Sequence, residues 1–337
     1  RVRSSAASDV YKRQIKGGNA SGMKYGDTLS DDAFSGYEFD YIISNPPFGI
    51  DWKREKVQVE AEAKRGFDGR FGPGLPAISD GQMLFMLNGV KKLKEGSGRM
   101  AIIQNGSSLF TGDAGSGASA IRRYVIEGDL VEAIIQLPTD LFYNTGISTY
   151  IWVLTRGKDL HRGGKMQLID ASKCFVKRRK NIGSKRVDLD DACIDLILRA
   201  YEEFGNETYE ENGLVVESKV FDNSFFGFTK VTVETAQADK DGKPVLKKGK
   251  YQPVKGASDT EIIPLGEDMD EYMKKNVLPY NPLAYINPAK DKIGYEVPFT
   301  RLFYKFMAPQ SSAAIFEDIK ALETEETILM KVLFGYE

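Results

Sequence analysis

The sequence predicts an α/β protein built on a mostly parallel sheet that helices cover on both faces. From Met23 to about Arg156, short apolar runs alternate with helical stretches, as they do in successive strand–helix–strand units. After about Asp170 the chain becomes rich in lysine and arginine and later turns helical. We therefore expect residues 15–170 to form the sheet domain, residues 171–260 a basic, mixed extension, and residues 261–337 a largely helical C-terminal region.

The spacing of apolar residues predicts the elements of the sheet domain in turn. A buried strand is expected over residues 39–44. Apolar side chains recur every three residues from Leu84 to Leu93, which predicts a helix over residues 82–93 that ends before Gly96-Ser-Gly98. Further strands are expected over residues 99–104, 130–137, 149–155 and 166–170, with a helix over residues 118–127.

The second half of the chain shows longer helical patterns. We expect an amphipathic helix over residues 188–204, a strand over residues 225–233 and a lysine-rich loop or hairpin over residues 240–250. Helical structure is expected from residue 268, interrupted by the proline-rich residues 278–288. An amphipathic helix over residues 313–334 is suited to packing against another helix, either of this chain or of a partner.

The composition restricts the class of protein. Hydrophobic residues make up 42% and charged residues 28%, and no run is long enough to span a membrane. Two cysteines, Cys174 and Cys193, and one histidine, His161, exclude a disulfide framework and a Cys/His zinc site, so we expect no metal and a cytoplasmic location. The net charge of −2 means that DNA binding would need local basic patches or a partner.

The first 14 residues differ in character from the rest of the chain. They precede the first methionine, Met23, and have neither a hydrophobic period nor the apolar core of a secretory signal. We expect this segment to be foreign to the natural protein, and we expect the natural chain to continue upstream of Ile15.

One motif carries a specific chemistry. Asn45-Pro46-Pro47-Phe48 follows directly on the first predicted strand, and in open α/β sheets ligands bind beyond the carboxyl ends of strands. The Asn45 side-chain oxygen and the Pro46 carbonyl can accept the two hydrogens of an aromatic amine and free its lone pair. The two prolines hold this wall rigid and leave no competing N–H group. Phe48 offers a face on which a base can stack, worth about 1–3 kcal/mol.

The alternative is that the tetrapeptide is only a turn after a strand. The chain supplies its own comparison, because Asn281-Pro282 and Asn287-Pro288 also pair asparagine with proline. Neither follows a buried strand or continues into a second proline and an aromatic residue, so both are interpreted as turns.

The segment from Asp40 to Phe48 resembles motif IV of the amino-methyltransferases, and further blocks narrow the resemblance. These blocks are Tyr25-Gly-Asp-Thr-Leu29, Asp80-Gly-Gln-Met-Leu-Phe85, Gly98-Arg-Met-Ala-Ile-Ile-Gln-Asn-Gly106, Leu137-Pro-Thr-Asp-Leu-Phe-Tyr-Asn-Thr-Gly146 and Lys292-Ile-Gly-Tyr-Glu-Val-Pro-Phe-Thr-Arg301. As an ordered set over about residues 23–334, they resemble the methylation subunit of type I restriction–modification systems.

The resemblance implies a Rossmann-like methyltransferase that uses S-adenosylmethionine and methylates the N6 amine of an adenine flipped out of double-stranded DNA. It also implies two copies of the methylation subunit working with one specificity subunit, joined in restriction by a translocating restriction subunit. The specificity subunit would then choose the DNA sequence, which agrees with the lack of a basic surplus in this chain.

The resemblance also assigns cofactor residues. Asp27 and Thr28 lie in the matching block, and Asp27 takes the position that contacts the cofactor adenine; a plain loop aspartate is the alternative. The family's glycine-rich cofactor motif is absent from the sequence and is expected upstream of Ile15, with the first strands of the sheet. Without them, residues 41–44 should form an exposed apolar edge, and the isolated chain should be inactive.

Two weaker signals concern DNA. Tyr143 and Thr145 match a block near the family's target-base pocket, although a packing role is an open alternative. The densest basic cluster comprises Lys177, Arg178, Arg179 and Lys180, and is extended by Lys185 and Arg186. It could contact phosphates or be a solvated loop.

Two other functions stay open. A methyltransferase acting on protein glutamine or RNA would use the same tetrapeptide, although the long C-terminal region argues against it. A non-catalytic DNA-binding or assembly module on a degenerate methyltransferase fold is the other, although the intact Asn45–Phe48 motif argues against decay.

Overall fold

A computed structural model describes residues 22–306 and 308–335 of the chain. Residues 1–14, expected to be foreign, lie outside the described residues. The chain forms two compact units, residues 1–299 and residues 300–337. The first unit contains two larger β-sheets and the second a long helix.

The first sheet contains seven strands in the spatial order β1-β2-β4-β3-β5-β9-β8. The strands of this half of the chain are β1 (Tyr41–Ser44), β2 (Arg99–Asn105), β3 (Val131–Gln136), β4 (Thr149–Thr155), β5 (Lys165–Asp170), β6 (Val176–Ile182), β7 (Lys185–Asp188), β8 (Thr208–Glu211) and β9 (Leu214–Asp222). Strands β6 and β7 pair only with each other, as a separate two-stranded hairpin.

Helices lie between these strands. They are α1 (Lys56–Ala63), α2 (Gln82–Lys91), α3 (Ser107–Phe110), α4 (Gly117–Glu127) and α5 (Asp191–Glu203). The bounds confirm the helices and strands predicted in this region to within a few residues, so the α/β class is confirmed. Strands β8 and β9 extend the sheet beyond residue 170, and the predicted division into three regions stays a prediction.

The prediction of a mostly parallel sheet is wrong, because β4 runs against its neighbours. Strand β3 turns back directly into β4, which inserts between β2 and β3 and is antiparallel to both. Strand β9 is antiparallel to β5 and to β8. Only the pairs β1–β2 and β3–β5 are parallel. The sheet is therefore mixed, although β1, β2, β3 and β5 all point the same way.

The two faces of the sheet carry different helices. Ile135 and Ile169 pack in a core cluster with Leu196 of α5, and alternate residues of β4 face the opposite side. On that side Trp152 donates a hydrogen bond from Nε1 to Ser108 Oγ of α3 at 3.2 Å. Helix α2 packs there so closely that a Cβ on Gly89 would lie 2.4 Å from the Met100 side chain.

Strand β1 forms an edge of the sheet and pairs with β2 alone among the described residues. The side chains of Tyr41 and Ile43 are 77% and 91% exposed. The exposed apolar edge predicted for residues 41–44 is therefore confirmed, whereas the expectation of a buried strand is wrong. Exposed apolar side chains on an edge strand are normally covered by another strand, a helix or a loop.

The rest of the first unit is built on a second sheet. Its strands and those of an adjoining hairpin are β10 (Gly227–Ala236), β11 (Leu246–Lys247), β12 (Lys250–Tyr251), β13 (Pro253–Pro264), β14 (Ala284–Ile286) and β15 (Lys292–Tyr295). Strand β10 pairs antiparallel with β13, β14 and β15. A short helix, α6 (Met269–Tyr272), continues into a wider turn over Met273–Val277. These bounds confirm the predicted β10 strand, the β11–β12 hairpin and the helical start at residue 268.

Helix α7 (Phe299–Phe303) spans the boundary of the two units, and helix α8 (Ser312–Phe334) makes up most of the second. Ser311 caps α8 by accepting a hydrogen bond from the Ala314 amide, and Gly335 ends it with φ of 65°. The predicted tail helix is confirmed. In the part of the chain that the structure describes, no helix has the length and apolar character needed to cross a membrane.

Candidate active site

The carboxyl ends of four strands meet at one edge of the first sheet. Strands β1, β2, β3 and β5 point the same way, so the segments that follow them lie along that edge. The segments are Asn45–Phe48, Asn105–Ser108, residues 137–148 and residues 171–188. Most of the residues singled out in the sequence therefore lie on one side of the sheet, as expected for a ligand site.

The Asn45–Phe48 tetrapeptide leaves β1 at this edge. Asn45 is exposed, Pro46 is buried and Phe48 is half-buried. No hydrogen bond from the described residues occupies the Asn45 side chain. Buried Pro46 thus fixes the backbone, while the Asn45 amide stays available to a ligand.

Three hydrogen bonds anchor the chain just beyond the tetrapeptide. The Gly81 amide donates to the Ile50 carbonyl at 3.0 Å, and the Trp52 amide donates to the Ile78 carbonyl at 3.1 Å. The buried Trp52 indole adds a hydrogen bond to the Ala77 carbonyl at 3.0 Å. These bonds fasten the chain after the tetrapeptide to the segment that precedes α2.

The first residue of α2, Gln82, is buried and belongs to a partly buried polar network at the end of β2. Gln82 Nε2 lies 2.7 Å from Asp80 Oδ2, 2.8 Å from Asn105 Oδ1 and 2.6 Å from Ser107 Oγ. Its Oε1 accepts from the Asn105 amide at 3.0 Å, and Ser107 Oγ donates to Asp80 at 2.7 Å. Gln82 is 1% exposed. The network ties α2, the β2 end and residue 80 together beside the tetrapeptide.

The Asp27–Thr28 loop is held by a half-buried arginine. Asp27 Oδ1 accepts hydrogen bonds from the Leu29 and Ser30 amides at 2.9 and 3.2 Å. Arg70 donates to the Thr28 carbonyl at 2.6 Å and to the Leu29 carbonyl at 3.0 Å. Both Asp27 and Thr28 remain exposed, so the loop is fixed from behind and its polar side is open.

Two acidic side chains meet at this loop. Burial raises the pKa of Glu55, and the hydrogen bond and negative charge of Asp27 raise it further. The Arg70–Glu62 ion pair, with an N–O distance of 2.6 Å, lies behind the same loop. Neither Glu55 nor Arg70 was singled out in the sequence, because neither belongs to a recognisable motif.

A groove runs between this loop and the motif strand. It has a volume of 460 Å³, and its lining includes Thr28, Ile42, Ser44, Pro46 and Phe85. The structure therefore brings the predicted cofactor loop and the predicted catalytic strand to one groove. Its volume lies within the range of about 300–1,000 Å³ that is usual for small-molecule sites.

The loop after β3 lies against the basic hairpin. The Ser184 amide donates to the Tyr143 carbonyl at 2.9 Å, and Lys185 Nζ lies 5.4 Å from the centre of the Tyr143 ring. Tyr143 is 63% exposed, and Thr145 Oγ1 accepts from the Ile147 amide at 3.4 Å. Tyr143 and the basic cluster, which the sequence singled out separately, are thus adjacent in space.

The cysteines and the histidine take structural positions. Cys193 is buried within α5 and Cys174 is buried against it, and burial raises the pKa of the Cys174 thiol to about 12. His161 packs edge-on against Phe204 with ring centres 5.7 Å apart. Within the described ranges, no cluster of histidine, cysteine and carboxylate side chains is arranged to hold a metal.

Comparison with known proteins gives a consistent result. A family model described as N-6 DNA Methylase matches residues 9–241. A type I restriction enzyme methylase subunit (MjaIX) of Methanocaldococcus jannaschii is 27% identical over 256 residues, covering 75% of this chain and 41% of that protein. The MpnII methylase subunit of Mycoplasma pneumoniae is 31% identical over 144 residues, covering 42% of this chain and 25% of its own length.

A solved structure resembles the fold over part of this chain. The type I restriction–modification methyltransferase subunit from Streptococcus thermophilus has a TM-score of 0.50 and 27% identity, covering 63% of this chain and 41% of that one. The chain thus spans less than half the length of these relatives.

Proposed function

Because the chain belongs to the N-6 DNA methylase family, we propose that the whole protein transfers a methyl group from S-adenosylmethionine to adenine N6 in DNA. It does so as the modification subunit of a type I restriction–modification system. The observation that carries this proposal is the placement of Asn45–Phe48. The tetrapeptide lies at the carboxyl end of β1 beside the groove, with the Asn45 amide exposed.

Asn45 and Pro46 act on the amine that receives the methyl group. The Asn45 side-chain oxygen and the Pro46 carbonyl oxygen accept hydrogen bonds from the two N6 hydrogens, which localises the nitrogen lone pair. S-adenosylmethionine supplies an electrophilic methyl group on a sulfonium. The Asn45 and Pro46 oxygens would hold the N6 lone pair toward that methyl group, the carbon–sulfur electron pair would remain with the departing thioether, and N6 would release one proton to water. Fixed alignment and polar groups supply most of the catalysis.

The flipped base needs apolar faces to replace its stacking partners. Phe48, half-buried directly after the tetrapeptide, offers one face. Tyr143, which is exposed, and Thr145 lie on the loop that follows β3, at the same edge of the sheet. In this proposal Tyr143 and Thr145 contact the target base or its neighbours.

The residues present fit the nucleoside half of S-adenosylmethionine. The exposed Asp27 carboxylate can accept hydrogen bonds from an amine or hydroxyl, and Thr28 and Phe85 line the adjoining groove. These groups suit a nucleoside. The sequence has no glycine-rich Asp/Glu-Pro-x-x-Gly-x-Gly element for the amino-acid half. Asp27 and Thr28 are therefore proposed to orient the nucleoside.

The proposed partners follow from family membership. They are double-stranded DNA, a specificity subunit, a restriction subunit and a second copy of the methylation subunit. A cytoplasmic location belongs to the same proposal, since the DNA substrate is there.

Methyl transfer by the complete protein tests the proposal. Its reading frame is extended upstream of Ile15, and it is assayed with its specificity subunit, labelled S-adenosylmethionine and unmethylated duplex DNA. Nucleoside digestion should show N6-methyladenine, and Asn45→Ala should lower its rate of formation by about 10²-fold or more.

The control is Asn281→Ala, because Asn281 also precedes a proline but lies in a turn after the Met273–Val277 segment. This variant should keep its transfer rate. Label found only in protein glutamine or in RNA would refute the DNA proposal. Absence of transfer by a preparation that binds both S-adenosylmethionine and DNA would favour a non-catalytic module.

A further inference from the structure

The β6–β7 hairpin projects from the edge of the sheet where the tetrapeptide lies. It follows β5, whose carboxyl end is at that edge, and it pairs with no strand of the main sheet among the described residues. Residues 176–188 contain six basic residues and one acidic residue. This density contrasts with the net charge of −2 for the whole chain.

The basic residues of the hairpin divide into two groups. Arg178 and Lys185 both form ion pairs with Asp188, the Lys185 pair at 2.8 Å. These contacts hold the pKa of Asp188 below its usual range. The second group is exposed and forms no ion pair within the described part of the chain; its members are Lys177, Arg179, Lys180 and Arg186. These four cations are therefore exposed to solvent without an ion pair among the described residues.

The hairpin is fixed to the loop that carries Tyr143. Besides the Ser184–Tyr143 hydrogen bond, the Arg186 amide donates to the Asp140 carbonyl at 2.8 Å. Gly183 has φ of 59°, and a Cβ there would lie 2.4 Å from the Tyr143 carbonyl oxygen. A turn pressed this closely against its neighbour holds its cations in a defined place, unlike a freely solvated loop.

We infer that this hairpin is a sequence-independent contact for the phosphate backbone of duplex DNA, made by Lys177, Arg179, Lys180 and Arg186. Exposed, locally unbalanced cations are what phosphate binding requires, because they release condensed counterions from the DNA. The inference deepens the proposed function, since it concerns how the same DNA substrate is held.

The sheet gives the reach of this contact. Strand β5 lies four strand positions from β1 in the order β1-β2-β4-β3-β5, or about 19 Å at the usual spacing between strands. Since one DNA strand rises about 3.4 Å along the helix axis per nucleotide, a duplex lying across the strands of the sheet would meet the hairpin roughly five or six nucleotides from a base at Asn45. Tyr143, carried by the loop after β3, lies between the two. Holding the duplex at this distance orients it without reading its sequence.

The test measures binding of the full 337-residue chain to fluorescein-labelled duplexes of two unrelated sequences, by anisotropy over a range of KCl concentrations. A variant in which all four exposed cations become alanine should show a shallower dependence of log affinity on log salt. The expected reduction in slope is about 0.9 for each lost phosphate contact. Both duplexes should give the same reduction, and Arg179→Gln and Lys180→Gln singly should each give about one contact's worth.

A second basic hairpin in the same chain supplies the matched control. Alanine at Lys243, Lys247, Lys248 and Lys250, which lie in and beside the exposed β11–β12 hairpin, removes the same charge from another sheet. This control should keep the salt slope. An equal fall for both hairpins, or no fall for either, would overturn the inference.

The single variants keep the test usable if the fourfold variant fails to fold. Competition by polyglutamate as effective as that of DNA would also overturn the inference, in favour of an acidic protein ligand. A negative binding result leaves the adenine chemistry at Asn45 untouched, because methyl transfer is measured separately.

Discussion

Replacing Gln82 by glutamate should make the stability of the first unit depend on pH in a new way. The change is isosteric, but it replaces the Nε2 amide nitrogen with a carboxylate oxygen. That position lies 2.7 Å from Asp80 Oδ2 and 2.8 Å from Asn105 Oδ1, both of which are acceptors. Gln82 is 1% exposed, so water has little access to a carboxylate placed there. Gln82→Met, an apolar side chain of similar length, removes the hydrogen bonds without adding charge.

The magnitudes follow from the contacts. Gln82→Met loses the three bonds of Nε2 and the one bond of Oε1, and at about 0.5–1.5 kcal/mol for each it should cost roughly 2–6 kcal/mol at every pH. In Gln82→Glu, burial and the negative charge of Asp80 raise the pKa of the new carboxyl above its unfolded value of about 4.3. Below about pH 4.3 the new carboxyl is protonated and the variant keeps its full free energy of unfolding. That free energy falls as pH rises through the folded pKa, because the carboxyl must then ionise in the interior. Each unit by which the pKa is raised adds about 1.4 kcal/mol to the loss at neutral pH.

Urea unfolding followed by tryptophan fluorescence measures both variants. The only two tryptophans, Trp52 and Trp152, are buried in the first unit, so the signal reports on the relevant region. The free energy of unfolding is compared with the wild type at pH 5 and pH 8, which cancels groups that titrate in both proteins. If the Gln82→Glu and Gln82→Met variants lose the same free energy of unfolding at both pH values, the assigned network is refuted.

Three further predictions follow from other contacts. Arg122 is 0% exposed and donates to three backbone carbonyls, so Arg122→Met should lower the free energy of unfolding by about 3–5 kcal/mol. Its control, Arg123→Met, loses only an exposed ion pair and should change the free energy of unfolding by less than about 1 kcal/mol. The ion pair with Lys290 and further hydrogen bonds lower the pKa of Glu234. Its contribution to stability is therefore present above the unfolded pKa and is lost as pH falls through the folded pKa. In urea titrations at several pH values, Glu234→Gln should make the free energy of unfolding fall less steeply toward acid pH. Ile43→Lys should reduce light scattering on concentration without changing the unfolding midpoint, because Ile43 is 91% exposed on the edge strand; unchanged scattering would mean that another surface drives association.

The sequence is enough to predict those helices and strands whose apolar residues recur with a strong period. It is also enough to find the tetrapeptide, whose residue types have a distinctive chemistry. Helix α2 and strand β4 were predicted from apolar spacing alone, since tertiary contacts reinforce the local pattern there. Asn45–Phe48 was found because two prolines and an aromatic residue after a strand are uncommon. Strand direction was not predictable in the same way, because an apolar run reads identically whether β4 pairs parallel or antiparallel.

The supporting residues of the candidate site could not be found by pattern. Gln82 occupies a polar position at the start of an apolar helix, and only the fold shows that Asp80 and Asn105 surround it. Arg70 is 41 residues from the Leu29 carbonyl that it binds. Such long-range polar contacts leave no periodic trace, because each involves one residue from each of several segments.

The buried position of Arg122 has a consequence for synthesis of the chain. Its Nε donates to the Tyr295 carbonyl, 173 residues later in the sequence. At a translation rate of about 5–20 residues per second, that acceptor emerges roughly 9–35 s after Arg122 does. During this interval only the Ser108 and Thr111 carbonyls are available to the Arg122 guanidinium, so α4 lacks the contact that joins it to the end of β15. The nascent protein therefore passes through a period in which the sheet edge and α4 are accessible to chaperones, and a ribosome stalled before residue 295 would hold it there.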